Sequence, residues 1–282
     1  MPELPEVQTV VTQIRRAVEG RTVETAVVHR PDYIRVGGKS LTRTLPGRSF
    51  AAVGRIGKRI VIDLAPTGQL VLHLGMSGRV TFQPRAADLA PHTHLVLRFV
   101  DFPDELRMSD PRRFGGVWYG PTGPVAETPG VGRLGPDALD IDHHTLRDIA
   151  AHRRQIKALL LDQRFISGMG NIYCDEALFA ARIHPLTRAC DLESRQVATL
   201  ATCIRRTLRS AVEFGGSTLR DYRGPDGEPG YFQTHHRVYG QAGKPCRRCR
   251  APIEKAVIAG RTTHYCPICQ PTRRSRSTGG AR

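Results

Sequence analysis

Nowhere in its 282 residues does the chain approach the roughly 18 consecutive apolar residues that a membrane-crossing helix requires. It also lacks a basic-then-apolar leader, so neither a membrane span nor a secretory signal is expected. Acidic residues are in short supply: 26 Asp and Glu face 42 Lys and Arg, a formal net charge of +16. With a pI near 10.3, that imbalance points to a polyanionic partner, nucleic acid first. An anionic membrane surface would attract the same charge, but no basic amphipathic helix is evident. Internal repeats are missing, and no low-complexity block precedes the basic C-terminal stretch. What remains is a chain of ordinary hydrophobic content, long enough for two domains with a core in each.

The positive charge is unevenly placed. Residues 243–282 carry ten Lys or Arg against Glu254 alone, which is most of the net charge. The end, TRRSRSTGGAR, reads as a solvated, disordered tail. The basic residues just before it lie among cysteines and need another explanation. Cys174, Cys190 and Cys203 are scattered and read as reduced thiols. Cys246, Cys249, Cys266 and Cys269 form CRRC-x16-CPIC, a pair of C-x2-C knuckles suited to tetrahedral Zn²⁺. Two disulfides are the competing arrangement, but three further free cysteines and no signal peptide argue against them. Four thiolates fill the coordination sphere, so one structural zinc ion per chain is expected. The hairpin it holds would present Arg247, Arg248, Arg250, Lys255 and Arg261. Zinc ribbons also contact proteins; here the charge favours phosphate.

Upstream, apolar residues at Val7, Val10, Val11, Ile14 and Val18 predict a helix, with Pro5 and Glu6 in its first turn and Gly20 at its end. Residues 21 to about 120 read as β structure: KRIVIDL, LVLHLGM, RVTF, HLVLRFV and GVWYG are short strands of a sandwich or barrel. A Pro- and Gly-rich linker at 122–136 follows. Beyond it, TLRDIAAHR, IKALLLDQ, NIYCDEALFAARI and a long segment from about Leu192 to Phe214 predict helices, compatible with a helix-turn-helix relative. The stretch 217–232, STLRDYRGPDGEPGYF, has the glycines and turn residues of a mobile loop.

The opening MPELPEV admits two explanations. One is simply helix capping. In the other, removal of Met1 ahead of the small Pro2 leaves a secondary amine. An α-amino group has a pKa of about 8 against about 10.4 for lysine, so more of it is unprotonated near neutrality. Held still beside a carboxylate, it can attack an electrophilic carbon, with Glu3 exchanging the proton.

MPELPEV, GKRIVIDL, HLGMSG, DPRRFG, SGMGNIYCDEALF, GGSTLRDY, GEPGYFQ, VYGQAGKPC and GRTTHYCPICQ occur in that order from residue 1 to about 270. Together they resemble the bacterial formamidopyrimidine-DNA glycosylases. Endonuclease VIII has a similar start and zinc hairpin, but ELPE and DPRRFG favour the first family. The resemblance implies an α+β protein: an N-terminal helix plus antiparallel β-sandwich (1–121), the linker (122–136), a helix–two-turn–helix domain (137–240), a zinc finger (241–270) and the basic tail (271–282). It implies a monomeric bacterial repair enzyme, cytoplasmic and associated with the nucleoid. Such an enzyme excises oxidised purines from damaged double-stranded DNA and cuts the strand by β,δ-elimination.

By the same resemblance, Pro2 matches the nucleophile, Glu3 the acid that assists sugar-ring opening, and Glu6 a supporting neighbour. Lys58 matches a lysine of the elimination steps, though on its own it reads as a solvated strand lysine. Arg261 matches the catalytic finger arginine linked to phosphate binding and δ-elimination. A guanidinium is a poor proton donor, so phosphate clamping is the expected role. Asn171 sits where a helix N-terminus can hold phosphate, or is an ordinary cap; GMGNIY lacks the third glycine of a dinucleotide fingerprint. His73, His92, Arg112 and Arg153 align with DNA-contacting positions. Met76, Arg112 and Phe114 match the residues that fill the hole left by a flipped base, although Met76 and Phe114 also suit a core. The 217–232 loop matches the one covering the damaged base. Departures include Cys174, which stands where a small residue is usual and adds oxidation sensitivity, and Gln241 in place of a common arginine. An oxidised-pyrimidine preference and a catalytically silent DNA-binding zinc protein are the competing functions.

Overall fold

The computed structural model describes residues 2–122, 133–219 and 222–272. Most of the expected linker, the tail from residue 273, and Arg220 and Asp221 of the 217–232 loop lie outside them. The chain divides into two compact units, Met1–Asp137 with Leu208–His235, and Ala138–Thr207 with His236–Arg282. Packing therefore groups the chain differently from its linear order, joining the segment after residue 207 to the sandwich and the finger to the helices.

In the first unit, α1 (Leu4–Val18) begins where Glu3, in extended backbone, and Glu6 form a capping box. Pro5 costs nothing in the first turn, because its missing N–H would have no helical partner. Val7, Val10, Val11, Ile14 and Val18 are all buried on one face, against β3 (Ser49–Ile56) and β4 (Arg59–Ala65). The five-stranded sheet also contains β2 (Ile34–Val36), β5 (Gln69–His73) and β9 (Gly116–Gly120), in the order β2-β9-β5-β4-β3. The other sheet is β1-β7-β8-β6, from β1 (Val23–Val28), β6 (Arg79–Pro84), β7 (Thr93–Phe99) and β8 (Asp104–Ser109). One core unites them, including Phe50 edge-on to Phe99 at 5.0 Å with Leu72 and Leu97.

The expected antiparallel sandwich holds with one correction: β2 pairs with β9 in parallel. That is sterically free, because a long stretch of chain separates this three-residue edge strand from its partner. A short helix, α2 (Gly38–Thr44), interrupts the segment expected to be wholly β; it starts after Gly37, whose φ of 75° suits glycine.

The second unit contains α3 (His143–Ala150), α4 (Ile156–Leu161), α5 (Asn171–Ala181) and most of α6 (Ser194–Glu213), then a hairpin of β10 (Glu254–Ile258) and β11 (Arg261–Tyr265). Asp142 caps α3 through the Thr145 N–H at 2.8 Å. Residues Ile172 to Phe179 of α5 are buried all round, which makes α5 the central helix of this unit. Among the described residues, no helix is long and apolar enough to cross a membrane.

Candidate active site and metal centre

The N-terminal segment is enclosed. Pro2, Glu3 and Glu6 are all buried. Glu6 divides its carboxylate between two backbone donors: Oε2 accepts the Glu3 N–H at 2.8 Å, and Oε1 accepts the Ser217 N–H at 2.6 Å. The Tyr222 hydroxyl donates to the Glu6 carbonyl at 3.0 Å. Burial, reinforced by the Glu6 charge, pushes that phenol well above its usual range, so it stays a donor. One carboxylate thus joins the residues beside the proposed nucleophile to the base of the 217–232 loop. The described parts of that loop are tied down: Gly230 N–H reaches Thr218 Oγ1 at 2.8 Å, and Gln13 Nε2 reaches Asp226 Oδ2 at 2.6 Å.

Lys58 occupies the β3–β4 turn, and its carbonyl lies 3.2 Å from His73 Nδ1 at the end of β5. Burial lowers the His73 pKa; the hydrogen bond to the Lys58 carbonyl opposes this, and the charges of Arg59 and Lys58 lower it further. Met76 follows in the β5–β6 turn and is exposed. Arg112 and Phe114 occupy the β8–β9 turn, the guanidinium 4.5 Å above the exposed ring. These turns meet: an added Cβ on Gly75, whose φ is 59°, would stand 2.5 Å from the Phe114 carbonyl carbon. Met76 and Phe114 are therefore surface residues, not core. His92 adjoins the group, its carbonyl accepting the Asp110 N–H at 3.1 Å. Sequence alone does not single out Asp110. It is fully buried and takes Ser77 Oγ at 2.6 Å and the Gly115 N–H at 2.8 Å. Only its place in the quoted DPRRFG hints at a role.

In the second unit, Asn171 opens α5 and donates from Nδ2 to the Thr262 carbonyl at 2.7 Å. It thus ties the helix start to the strand that begins with Arg261, which is exposed. The same strand is anchored from beneath. Lys157 Nζ, fully buried, donates to Asp175 Oδ1 and Thr263 Oγ1, both at 2.6 Å, and Asp175 Oδ2 accepts the His264 N–H at 2.8 Å. Arg153 is exposed between α3 and α4. Glu176 accepts the N–H groups of Arg237, Val238 and Tyr239, although its burial still raises the carboxyl pKa. Arg248 is exposed, and its guanidinium also donates to the Phe179 carbonyl at 2.8 Å and lies over the Phe179 ring at the end of α5. One expectation changes here. Cys174 is fully buried, which closes it to oxidants.

Cys246, Cys249, Cys266 and Cys269 bring their sulfurs within 4.8 Å of one another. Cys246 to Cys269 is 3.9 Å and Cys249 to Cys266 is 3.4 Å. A tetrahedral zinc centre of four sulfurs with bonds of about 2.3 Å has sulfur–sulfur edges of about 3.8 Å, so the donor set fits a metal ion. The Arg248 and Cys269 N–H groups point at Cys246 and Cys266 sulfurs at 3.4 Å, as thiolates require.

A helix-capped sandwich, a helical unit and a four-cysteine hairpin able to hold a metal ion thus belong to one strongly basic chain. Three family models match in order: the formamidopyrimidine-DNA glycosylase N-terminal domain over residues 1–117, its H2TH domain over 134–223, and the zinc finger found in FPG and IleRS over 243–272. The formamidopyrimidine-DNA glycosylase of Thermus thermophilus is 44% identical over 275 residues, covering 96% of this chain and 98% of that one. A point mutant of Lactococcus lactis FPG, solved with a Fapy-dG containing DNA, superposes with a TM-score of 0.88 at 31% identity, covering 96% of this chain and all of that one. Wild-type Lactococcus lactis Fpg, solved with an oxidised pyrimidine containing DNA, superposes at 0.87 with 31% identity and the same coverage. The chain belongs to the formamidopyrimidine-DNA glycosylase family.

Proposed function

We infer that this protein is a base-excision repair enzyme, a DNA glycosylase and AP lyase acting on oxidised purines in damaged double-stranded DNA. The observation that carries the mechanism is the enclosed Pro2–Glu3 segment, held at the helix start by Glu6. With Met1 removed, the Pro2 amine attacks C1′ of the damaged nucleotide and the bond to the base breaks. Glu3 supplies the proton for sugar-ring opening, which leaves an iminium between Pro2 and the sugar. Loss of a C2′ proton then expels the 3′ phosphate, and a second elimination expels the 5′ phosphate. Lys58 is proposed to carry protons in these steps. Arg261 and Asn171 are proposed to hold phosphate, and Met76, Arg112 and Phe114 to occupy the gap left by the flipped base. His73, His92 and Arg153 are proposed as further DNA contacts. The four cysteines would hold one structural Zn²⁺, which orders the finger and takes no part in bond breaking.

An oxidised-pyrimidine preference is kept as a second reading, because a solved relative was crystallised with such a lesion. Borohydride reduction of the iminium should lock protein to duplex carrying 8-oxoguanine more than to duplex carrying an oxidised pyrimidine; the reverse order would favour the second reading. An uncleavable residue left ahead of Pro2 should abolish the adduct. If the adduct still forms at the normal rate, Pro2 is not the nucleophile.

A further inference from the structure

The exposed Met76 and Phe114 stand on turns whose shared anchor is among the least exposed groups of the molecule. The Asp110 carboxylate, 0% exposed, accepts from three separate parts of the chain. Oδ1 takes the Ser77 hydroxyl at 2.6 Å, from the Met76 turn, and the Arg112 N–H at 3.3 Å, from the Phe114 turn. Oδ2 takes the Gly115 N–H at 2.8 Å and the Tyr33 hydroxyl at 3.3 Å. Ser77 bridges a second time, its Oγ accepting the Arg112 N–H at 3.2 Å. The Asp110 backbone is committed as well, with His94 Nε2 lying 2.9 Å from its carbonyl. Burial, with the Asp110 charge beside it, pushes the Tyr33 phenol upward and keeps it a donor. A carboxylate so deeply buried is tolerated because donors surround it, and those donors come from both turns.

We propose that Asp110 and Ser77 are positioning residues for excision: they fuse the two turns into one rigid wedge that presents the Arg112 guanidinium to the base left without a partner. The proposal rests on the glycosylase reading above. A guanidinium only donates hydrogen bonds. It suits the adjacent N3 and O2 acceptors of cytosine, whereas adenine places an amino donor on the corresponding edge. Discrimination between those bases depends on where the guanidinium points, and that follows from the turn beneath it.

The test compares single-turnover excision of 8-oxoguanine opposite cytosine and opposite adenine. Ser77→Ala removes the bridging hydroxyl without emptying the core and should shrink the cytosine-to-adenine rate ratio by on the order of tenfold, as for one hydrogen bond to a charged group. Ser77→Thr keeps a hydroxyl and should restore the ratio. Asp110→Asn should shift it in the same direction; if that variant fails to fold, Ser77→Ala still decides. A purely structural role would slow both substrates alike. An unchanged ratio in Ser77→Ala, or no recovery in Ser77→Thr, overturns the proposal. Wild-type protein that excises from neither duplex would sink the glycosylase reading itself, and this proposal with it.

Discussion

His73 pairs its ring with a backbone carbonyl in surroundings that disfavour a proton. Its pKa lies below the usual 6.5, so the unfolded chain takes up a proton at a pH where the folded ring remains neutral. Stability from this group is present above pH 6.5 and is lost as pH falls through the folded value. Denaturant midpoints measured across that window should decline more steeply for wild type than for His73→Gln; parallel curves would mean that other groups set the slope. At this scale, residue type is a poor guide to residue use. Two exposed arginines of the same finger differ in their partners: Arg261 stands at the start of β11, while Arg248 also donates to the Phe179 carbonyl at the end of α5.

At the scale of elements, the connection between α1 and the segment after α6 depends on an absent side chain. Gly216 has a φ of 82°, and a Cβ there would lie 2.7 Å from Glu6 Oε1. Gly216→Ala should cost about 1–3 kcal/mol of stability from the backbone alone. It should also weaken borohydride trapping, by displacing the carboxylate that orients Glu3. Unaltered unfolding and trapping would show that the loop base yields freely.

The β10–β11 hairpin has too few residues to bury a core alone, so its order should depend on the metal. Freshly purified, reduced protein should contain close to one zinc per chain, and Cys249→Ser should lose both zinc and DNA affinity. Elemental analysis finding no zinc would remove the metal from the account.

The elements legible in the sequence are those with a simple period. The apolar spacing from Val7 to Val18 and the alternation in KRIVIDL correspond to α1 and β4. β8 is hidden because DELRMS buries an ion pair, Arg107 Nε to Glu105 Oε1 at 2.7 Å, that looks like surface chemistry in one dimension. α2 escapes notice because only Leu41 of its seven residues is buried. The same applies to the site. Motifs locate Pro2, Met76 and Arg112 along the chain, but the function of Asp110 lies in donors from residues 33, 77, 112 and 115, which only folding assembles.

For the whole molecule, a net charge of +16 should make DNA binding strongly dependent on salt. Each neutralised phosphate adds about −0.9 to the slope of log K against log salt on duplex DNA. Arg261→Ala should therefore weaken binding and flatten the slope by about one unit if it makes a single contact. A slope identical to wild type would place Arg261 away from phosphate.

The finger's cysteines have a further consequence. Cys246 and Cys266 pack with Ile253 against Phe179 and Val238, Gln270 Nε2 reaches the Ile183 carbonyl at 2.9 Å, and Arg248 closes the end of α5. What looks like a self-contained metal knot thus shares its apolar face with α5 and the segments beside it. Such a finger is not portable. Moved to another scaffold it would carry its four sulfurs along and leave its apolar underside bare, so swaps between relatives must take α5 and the finger together.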